Sequence, residues 1–453
     1  MTHTISRPAA AALSADDLPV DFNWNSEPSP LSPLPESLPT EPTAQQAAEA
    51  EILSECLRDG LQGVSRYPDV DSMLKYVELL DAFGVRSATV GIHTGSGVLD
   101  STMKELLAGM RDQFPRIVPS VLSVCTEGSL KWTAECREIH PALESVVFMG
   151  SAPSRRLVQG WDLDFVLGKL ATYIKRTADL GIPVIAGTEH TTQTSPEDVR
   201  AITRVQVENG AYRVAVADTI GVARPIGAYR LCRLVREVLD EMGTSGMKLD
   251  WHGHRDTGNA LSNAMMAVAA GANRIHVVSR GVGERSGNAS LEEVVLNLAA
   301  IREEGGLPVS WNMAELLGLI SFYQEMVDVI TPDHGVLGKR YSHTSSGIHT
   351  DAILKANALA ESAREAQDFR REKQLRTMAR TVYSAVDPAS IGGTYSVGVS
   401  QWSGQSSVKL ACLQSGRDPG KLTAERIDEI LQHAKNLGRE LEGEELEEMF
   451  AQS

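Results

Sequence analysis

Eight short β-rich segments recur along this chain at roughly 30-residue spacing, each followed by an amphipathic helical stretch, and this period constrains the fold more than any other feature. The strand candidates are residues 52–53, 87–92, 117–124, 145–149, 183–186, 213–217, 247–251 and 274–278. A period of that length is a βα unit. Eight such units closing on themselves make a (β/α)8 barrel of about 250 residues, so the expected class is α/β, a TIM barrel at 49–330. An open doubly wound sheet is the rival, weakened because no GxGxxG follows the first strand.

The 453 residues exceed one barrel, so additions are expected. Residues 1–48 carry eight prolines among Ala, Ser, Glu and Thr and read as a disordered Pro/Ala-rich tail unable to offset its ordering entropy. A partner-docking arm around Phe22, Asn23 and Trp24 is the alternative. Beyond 303 the strand rhythm stops. Helices are expected at 311–330 and 352–379, a loop at 341–349, a β-like stretch at 395–399, and helices at 424–437 and 443–450. These suggest a linker subdomain at 331–395 and a small helical subdomain at 396–453.

A net charge of -16 argues against nucleic-acid binding, which needs a basic footprint, yet leaves room for a locally basic site. No apolar run approaches the ~20 residues of a membrane span. Five scattered cysteines, none in a CxxC pair, suggest neither a disulfide framework nor a thiolate zinc site and fit a reducing cytoplasm.

In a barrel of this kind the functional groups stand at the C-terminal ends of the strands. The polar residues there include Arg58, Asp59 and Gln62 after the first strand and Glu189 and His190 after the fifth. Asp218 and Thr219 follow the sixth, His252, His254 and Asp256 the seventh, and Gly281 to Asn288 the eighth. Two imidazoles at i and i+2 of a strand point to one face and can reach one cation. Borderline divalent metals accept imidazole with a carboxylate, and Asp59 is the plausible third ligand. HxH is equally readable as an ordinary polar pair.

The strings Leu57-Arg58-Asp59-Gly60-x-Gln62, His252-x-His254, Gly281-x-Gly283-Glu284-Arg285-x-Gly287-Asn288 and Ser346-Gly347-Ile348-His349-x-Asp351 resemble, in order, the signatures of the 2-isopropylmalate synthase and homocitrate synthase family. The resemblance implies a metal-dependent acyltransferase condensing acetyl-CoA with a 2-oxo acid on a (β/α)8 barrel. It implies a divalent cation (Zn2+, Mn2+ or Mg2+) on Asp59, His252 and His254, with Asn288 close by. It further implies Arg58 as oxyanion stabiliser, Glu189 as catalytic carboxylate, Thr219 and Gln62 at the substrate, and His349 and Tyr383 supplied by the partner of a homodimer. Glu189 or His349 is the base. Structural alternatives stand beside these roles: Asp218 and Thr219 as a helix cap, Glu284 and Arg285 as an ion pair, and Asp256 as the orienter of an imidazole. A lyase of the 3-hydroxy-3-methylglutaryl type and a non-catalytic barrel are the competing functions.

The chain departs from the pattern in its pocket. Thr89 and His93 stand where members often carry Glu and Pro, Ile185 where homocitrate synthases carry Arg, Gln193 where Arg is usual, and Arg255 where Asn is common. Arg255, with Arg155 and Arg156 after the fourth strand, suggests substrate binding through a second anionic group. The expected co-substrate is therefore a dianionic 2-oxo acid (2-oxoglutarate, oxaloacetate or a phosphono analogue), with 2-oxoisovalerate as the alternative.

Overall fold

The structure, a computed structural model, describes residues 19–62, 64, 66–95 and 97–451. Its chain divides into two compact units, one holding residues up to 312 with 319–329 and the other 313–318 with 330 onward. In the first, eight parallel strands form a closed barrel in chain order: β1 (Glu51–Ser54), β2 (Ser87–Ile92), β3 (Val118–Val124), β4 (Glu144–Gly150), β5 (Val184–Glu189), β6 (Ala211–Asp218), β7 (Lys248–Gly253) and β8 (Arg274–Val277). Closure comes from β1 pairing with β8, Ile52 against Ile275 and Ser54 against Val277, which removes the open-sheet rival. Each expected strand is present. The helices start where their caps direct: Asp69, Thr126, Asp162 and Ser195 accept backbone N–H groups ahead of Val70–Phe83, Glu127–Ile139, Leu163–Asp179 and Pro196–Glu208, satisfying donors that have no partner within the helix.

The strand period of two sorts side chains to opposite faces. On β4 and β5, Val147, Met149, Val184 and Ala186 face outward into a core with Val166, Leu170 and Ile174 of Leu163–Asp179. Val146, Phe148 and Ile185 face inward with Leu122 and Ala215. The inward positions of β7 and β8, and the residue directly after β1, instead carry Asp250, Arg274, His276 and Glu55, all buried. The barrel interior is therefore apolar on one side and ionic on the other.

The expected disorder of residues 1–48 is corrected for 19–48; residues 1–18 lie outside the described residues. Trp24 is 1% exposed and its indole N–H donates to the Thr194 carbonyl (2.8 Å). Arg230 donates to the carbonyls of Trp24, Glu27 and Ser32, and the Asn25 side chain bonds Val222 and Arg224. A capping box of Thr43 and Gln46 starts the helix Ala44–Glu49, whose end receives N–H groups from Arg302. One buried indole and two arginine anchors offset the ordering cost, and proline reduces that cost by stiffening the unfolded chain. The segment around Phe22, Asn23 and Trp24 packs on its own barrel.

In the second unit the parallel strands β9 (His343–Thr344) and β10 (Ser396–Val397) pair. That pairing crosses the expected boundary at 395/396, and the described residues from 330 to 451, with 313–318, form one compact unit. The helix expected at 352–379 is two, Gly347–Glu365 and Phe369–Thr381, broken where Gln367 takes a left-handed backbone (φ 60°). Gln405–Gln414 is a helix that sequence periodicity missed; Ala424–Leu437 and Gly443–Ala451 are as expected. Its core gathers Val408, Cys412, Ile430, Leu431, Leu446 and Phe450. All five cysteines are buried and unpaired. Among the described residues no helix is long and apolar enough to cross a membrane.

Candidate active site at the barrel mouth

His252 ends β7 facing inward, and His254 follows two residues on. Their Nε2 atoms lie 3.2 Å apart, and each lies 3.9 Å from Oδ2 of Asp59, which opens a short 3-10 turn, Asp59–Leu61, after β1. Nδ1 of His254 donates to the Gly287 carbonyl (3.1 Å), so its Nε2 presents a lone pair. Burial pushes the His252 imidazole down to about 3, with His254 adding to the effect, and burial lowers His254 as well. Burial opposes the charge of Asp59, but Arg58, the imidazoles and Asn288 outweigh it and hold the carboxyl below its usual range. Two neutral imidazoles and a carboxylate thus converge, the donor set a borderline divalent cation requires.

Asn288 fits the same group. Its amide N–H donates to Oδ1 of Asp59 (2.6 Å), while its Oδ1 is buried without a hydrogen-bond partner. A buried, unpaired carbonyl beside three potential ligands suits a hard-oxygen contact to a cation or its water. The loop carrying Asn288 is pressed so close that glycine is required. At Gly283 (φ +131°) a Cβ would meet Asn288 Nδ2 at 2.4 Å and Asp59 Oδ1 at 2.8 Å, and at Gly287 (φ +97°) the Gly281 carbonyl at 1.9 Å.

Beneath this group runs a buried ionic chain that the sequence reading did not assemble. Arg58 grips Glu55 through Nε and Nη2 (both 2.8 Å) and Asp59 through Nη1 (2.6 Å). Glu55 also meets Nδ1 of His276 (3.1 Å), whose Nε2 meets Asp250 (3.2 Å). Asp250 is held by Arg274 (2.6 and 2.9 Å) and Arg213 (2.8 Å). Burial works against the His276 charge, but its bonds to Asp250 and Glu55 prevail and raise its pKa. Thr89, where a glutamate was the family expectation, donates to Glu55 (3.0 Å); the carboxylate here comes from β1 instead of β2. A charge within an apolar strand end was the available signal for Glu55.

A cavity of about 400 Å3 opens above these residues. Its lining includes Arg58, Asp59, Gln62, Glu189, Thr219, His252 and His254. The structure therefore brings these expected residues together, with Glu284 and Arg285 of the glycine-rich string, and adds Glu55 and His276. Thr219 accepts the His190 N–H (2.7 Å), tying the ends of β5 and β6. Asp218 accepts N–H groups from Val222 and Ala223 and the Thr192 hydroxyl, so it shapes the loop before the helix Pro225–Glu241. Asp256 pairs with Arg285 (2.9 Å) and orients no imidazole; the Gly287 carbonyl does that. His349 and Tyr383 belong to the second unit, where their rings stack (centroids 3.9 Å apart, 15° between planes).

None of the basic residues expected to bind a second anionic group lines the cavity. Arg255 is exposed and absent from the cavity lining. Arg156 pairs with Asp198 (2.7 Å), and Arg155 lies 3.6 Å from Glu189. Gln193 donates to Asp21 of the N-terminal arm (2.7 Å).

Fold and geometry together give a (β/α)8 barrel whose C-terminal rim gathers two histidines and one aspartate that could hold a cation. The sequence model of the HMGL-like family matches residues 49–320, and the chain belongs to that family. It is 28% identical over 400 residues to homocitrate synthase AksA of Methanopyrus kandleri, covering 86% of this chain and 88% of that protein. It is 26% identical over 328 residues to 2-isopropylmalate synthase of Sulfolobus acidocaldarius, covering 71% and 81%. Among solved structures, hydroxymethylglutaryl-CoA lyase of Pseudomonas aeruginosa superposes with a TM-score of 0.54 at 19% identity, over 62% of this chain and 94% of that one. That likeness concerns the fold.

Proposed function

We propose that this chain condenses acetyl-CoA with a 2-oxo acid at the barrel mouth. The methyl carbon of the acetyl group bonds to C2 of the oxo acid, the methyl proton passes to a base, and the C2 oxygen gains a proton to become a hydroxyl. Water then cleaves the thioester, releasing CoA and a 2-substituted malate. The enzyme class, an acyltransferase of the homocitrate and 2-isopropylmalate synthase type, is that of the relatives matched over most of both chains.

The observation that carries the reading is one cavity lined by Asp59, His252 and His254, by Arg58 and by Glu189. The first three, with Asn288 close by, would hold a divalent cation, which would supply Lewis-acid polarisation of the oxo group. Arg58 donates from Nε to Glu55 and from Nη1 to Asp59, and its fork of five donors leaves others for a developing oxyanion. In this reading Glu189 takes the methyl proton, and Gln62 and Thr219, which line the same cavity, contact the oxo acid. A homodimer in which His349 and Tyr383, stacked on one another, enter the partner's site belongs to this reading. Five unpaired cysteines support a reducing cytoplasm.

Thiol release tests the reading. CoA should appear only when acetyl-CoA, an oxo acid and Zn2+, Mn2+ or Mg2+ are all present. His252→Ala should lower kcat/KM by roughly a thousandfold, the several kcal/mol a Lewis acid contributes, and reduce bound metal. Release independent of the oxo acid, or untouched by chelation, sinks it.

A further inference from the structure

The side of the cavity facing away from the cation group is a continuous apolar wall. Ile92 ends β2, Leu122 lies on β3, Val146 and Phe148 on β4, and Ala215 and Ala217 on β6, all lining the same cavity. Behind them Ile185, 0% exposed, closes the wall from β5. The one polar side chain lining it from β5 short of Glu189, Thr188, is hydrogen-bonded to Thr191 (2.9 Å). The only cations among the lining residues are Arg58 and Arg285, besides the histidines. Arg58 is bound to Glu55 and Asp59 and Arg285 to Asp256.

Gly187 of β5 lines the wall too, and the backbone does not ask for glycine there. Its φ is not in the left-handed region, and an added Cβ would make ordinary contacts with Ala215 and Phe148 (3.6–3.7 Å). Its effect is to leave space, as do Ala215 and Ala217 beside it. Strands stand about 4.8 Å apart, so a wall running from β2 to β6 is wider than a methyl or isopropyl group can cover.

We infer that the oxo acid's side chain is apolar and bulky, extended aliphatic or aromatic, and that Gly187, Ala215 and Phe148 set this preference. The inference rests on the condensing reading above and deepens it. A second carboxylate placed on this wall would lose its hydration without a partner, whereas each added methylene that reaches the wall is favoured.

The full chain, loaded with Mn2+, is assayed for thiol release with pyruvate, 2-oxoisovalerate, 4-methyl-2-oxopentanoate, 2-oxooctanoate, phenylpyruvate, oxaloacetate and 2-oxoglutarate. The same acids are titrated calorimetrically without acetyl-CoA. Expected is a kcat/KM for one of 4-methyl-2-oxopentanoate, 2-oxooctanoate or phenylpyruvate at least about tenfold above 2-oxoisovalerate, pyruvate and both dicarboxylic acids, with the same order in affinity. Gly187→Val should cut the ratio of large to small substrate by about tenfold or more while the unfolding midpoint stays within a few degrees or rises. Pyruvate, 2-oxoisovalerate or a dicarboxylic acid as best substrate overturns the inference and leaves the condensing reading standing. Absence of thiol release with every acid overturns that reading; calorimetry then judges the wall alone, and equal or preferential binding of the dicarboxylic acids overturns the inference as well.

Discussion

Asp250 and Asp218 stand on adjacent strands of the same barrel, both fully buried, and titrate in opposite directions. Burial opposes the charge of each. At Asp250, Arg274, His276 and Arg213 outweigh it and hold the carboxyl far below its usual range. At Asp218 no cation is among the dominant causes. The Thr192 hydroxyl and two backbone N–H groups compensate only in part, and the carboxyl is pushed up to about 6. Depth alone therefore does not decide a carboxylate's charge; the partner set does. The same division runs through the cavity, ionic where β1, β7 and β8 face it and apolar along β2 to β6 until Glu189 at the end of β5.

The ionic side is the place to test this contrast hardest. Asp250→Asn leaves Arg274 and Arg213 buried with one partner removed, and should destabilise the protein by about 3–5 kcal/mol, read as a shift in urea midpoint. A shift below about 1 kcal/mol would place the chain of ions among weak surface-like pairs.

Next in size is Arg58→Gln. It should lower kcat by about 100-fold to 1000-fold, the loss typical of one oxyanion donor, because Glu55 and Asp59 retain His276 and Asn288 as partners. Measured under saturating substrates, a change in KM alone would assign Arg58 to ground-state binding instead.

The smallest effect concerns Asp218. A carboxyl whose folded pKa is raised contributes stability that is present below the unfolded value, near 3.8, and is lost as pH rises through about 6. Between pH 4 and pH 7 the wild type should therefore lose stability relative to Asp218→Asn, by on the order of 2 kcal/mol. Parallel stability curves for the two proteins would show that Asp218 is as well compensated as Asp250.

Much of this molecule is legible in its residue order. The βα period locates all eight strands because it is a local property of hydrophobic spacing. His252 and His254 share a face because strand geometry repeats every two residues. Gly283 and Gly287 sit where a loop packs on Asp59, as a glycine-rich string beside candidate ligands suggests. Less legible was whatever depends on pairing between distant segments. Glu55 meets His276 because β1 and β8 register Leu53 against His276, which closure of the barrel decides. Trp24 is buried because Arg230 and Thr194 wait for it, and no window of local composition contains them. Arg255, Arg155 and Arg156 looked available in sequence, whereas in space they are exposed or near carboxylates.

The residues by themselves determined a (β/α)8 barrel and the chemical kinds of group at its rim, since both follow from short-range periodicity and from side-chain chemistry. Tertiary structure alone decided which charges are already neutralised and which side of the cavity is apolar. Those outcomes depend on distances of a few ångströms between residues up to 229 positions apart, where Coulomb and desolvation energies are won or lost.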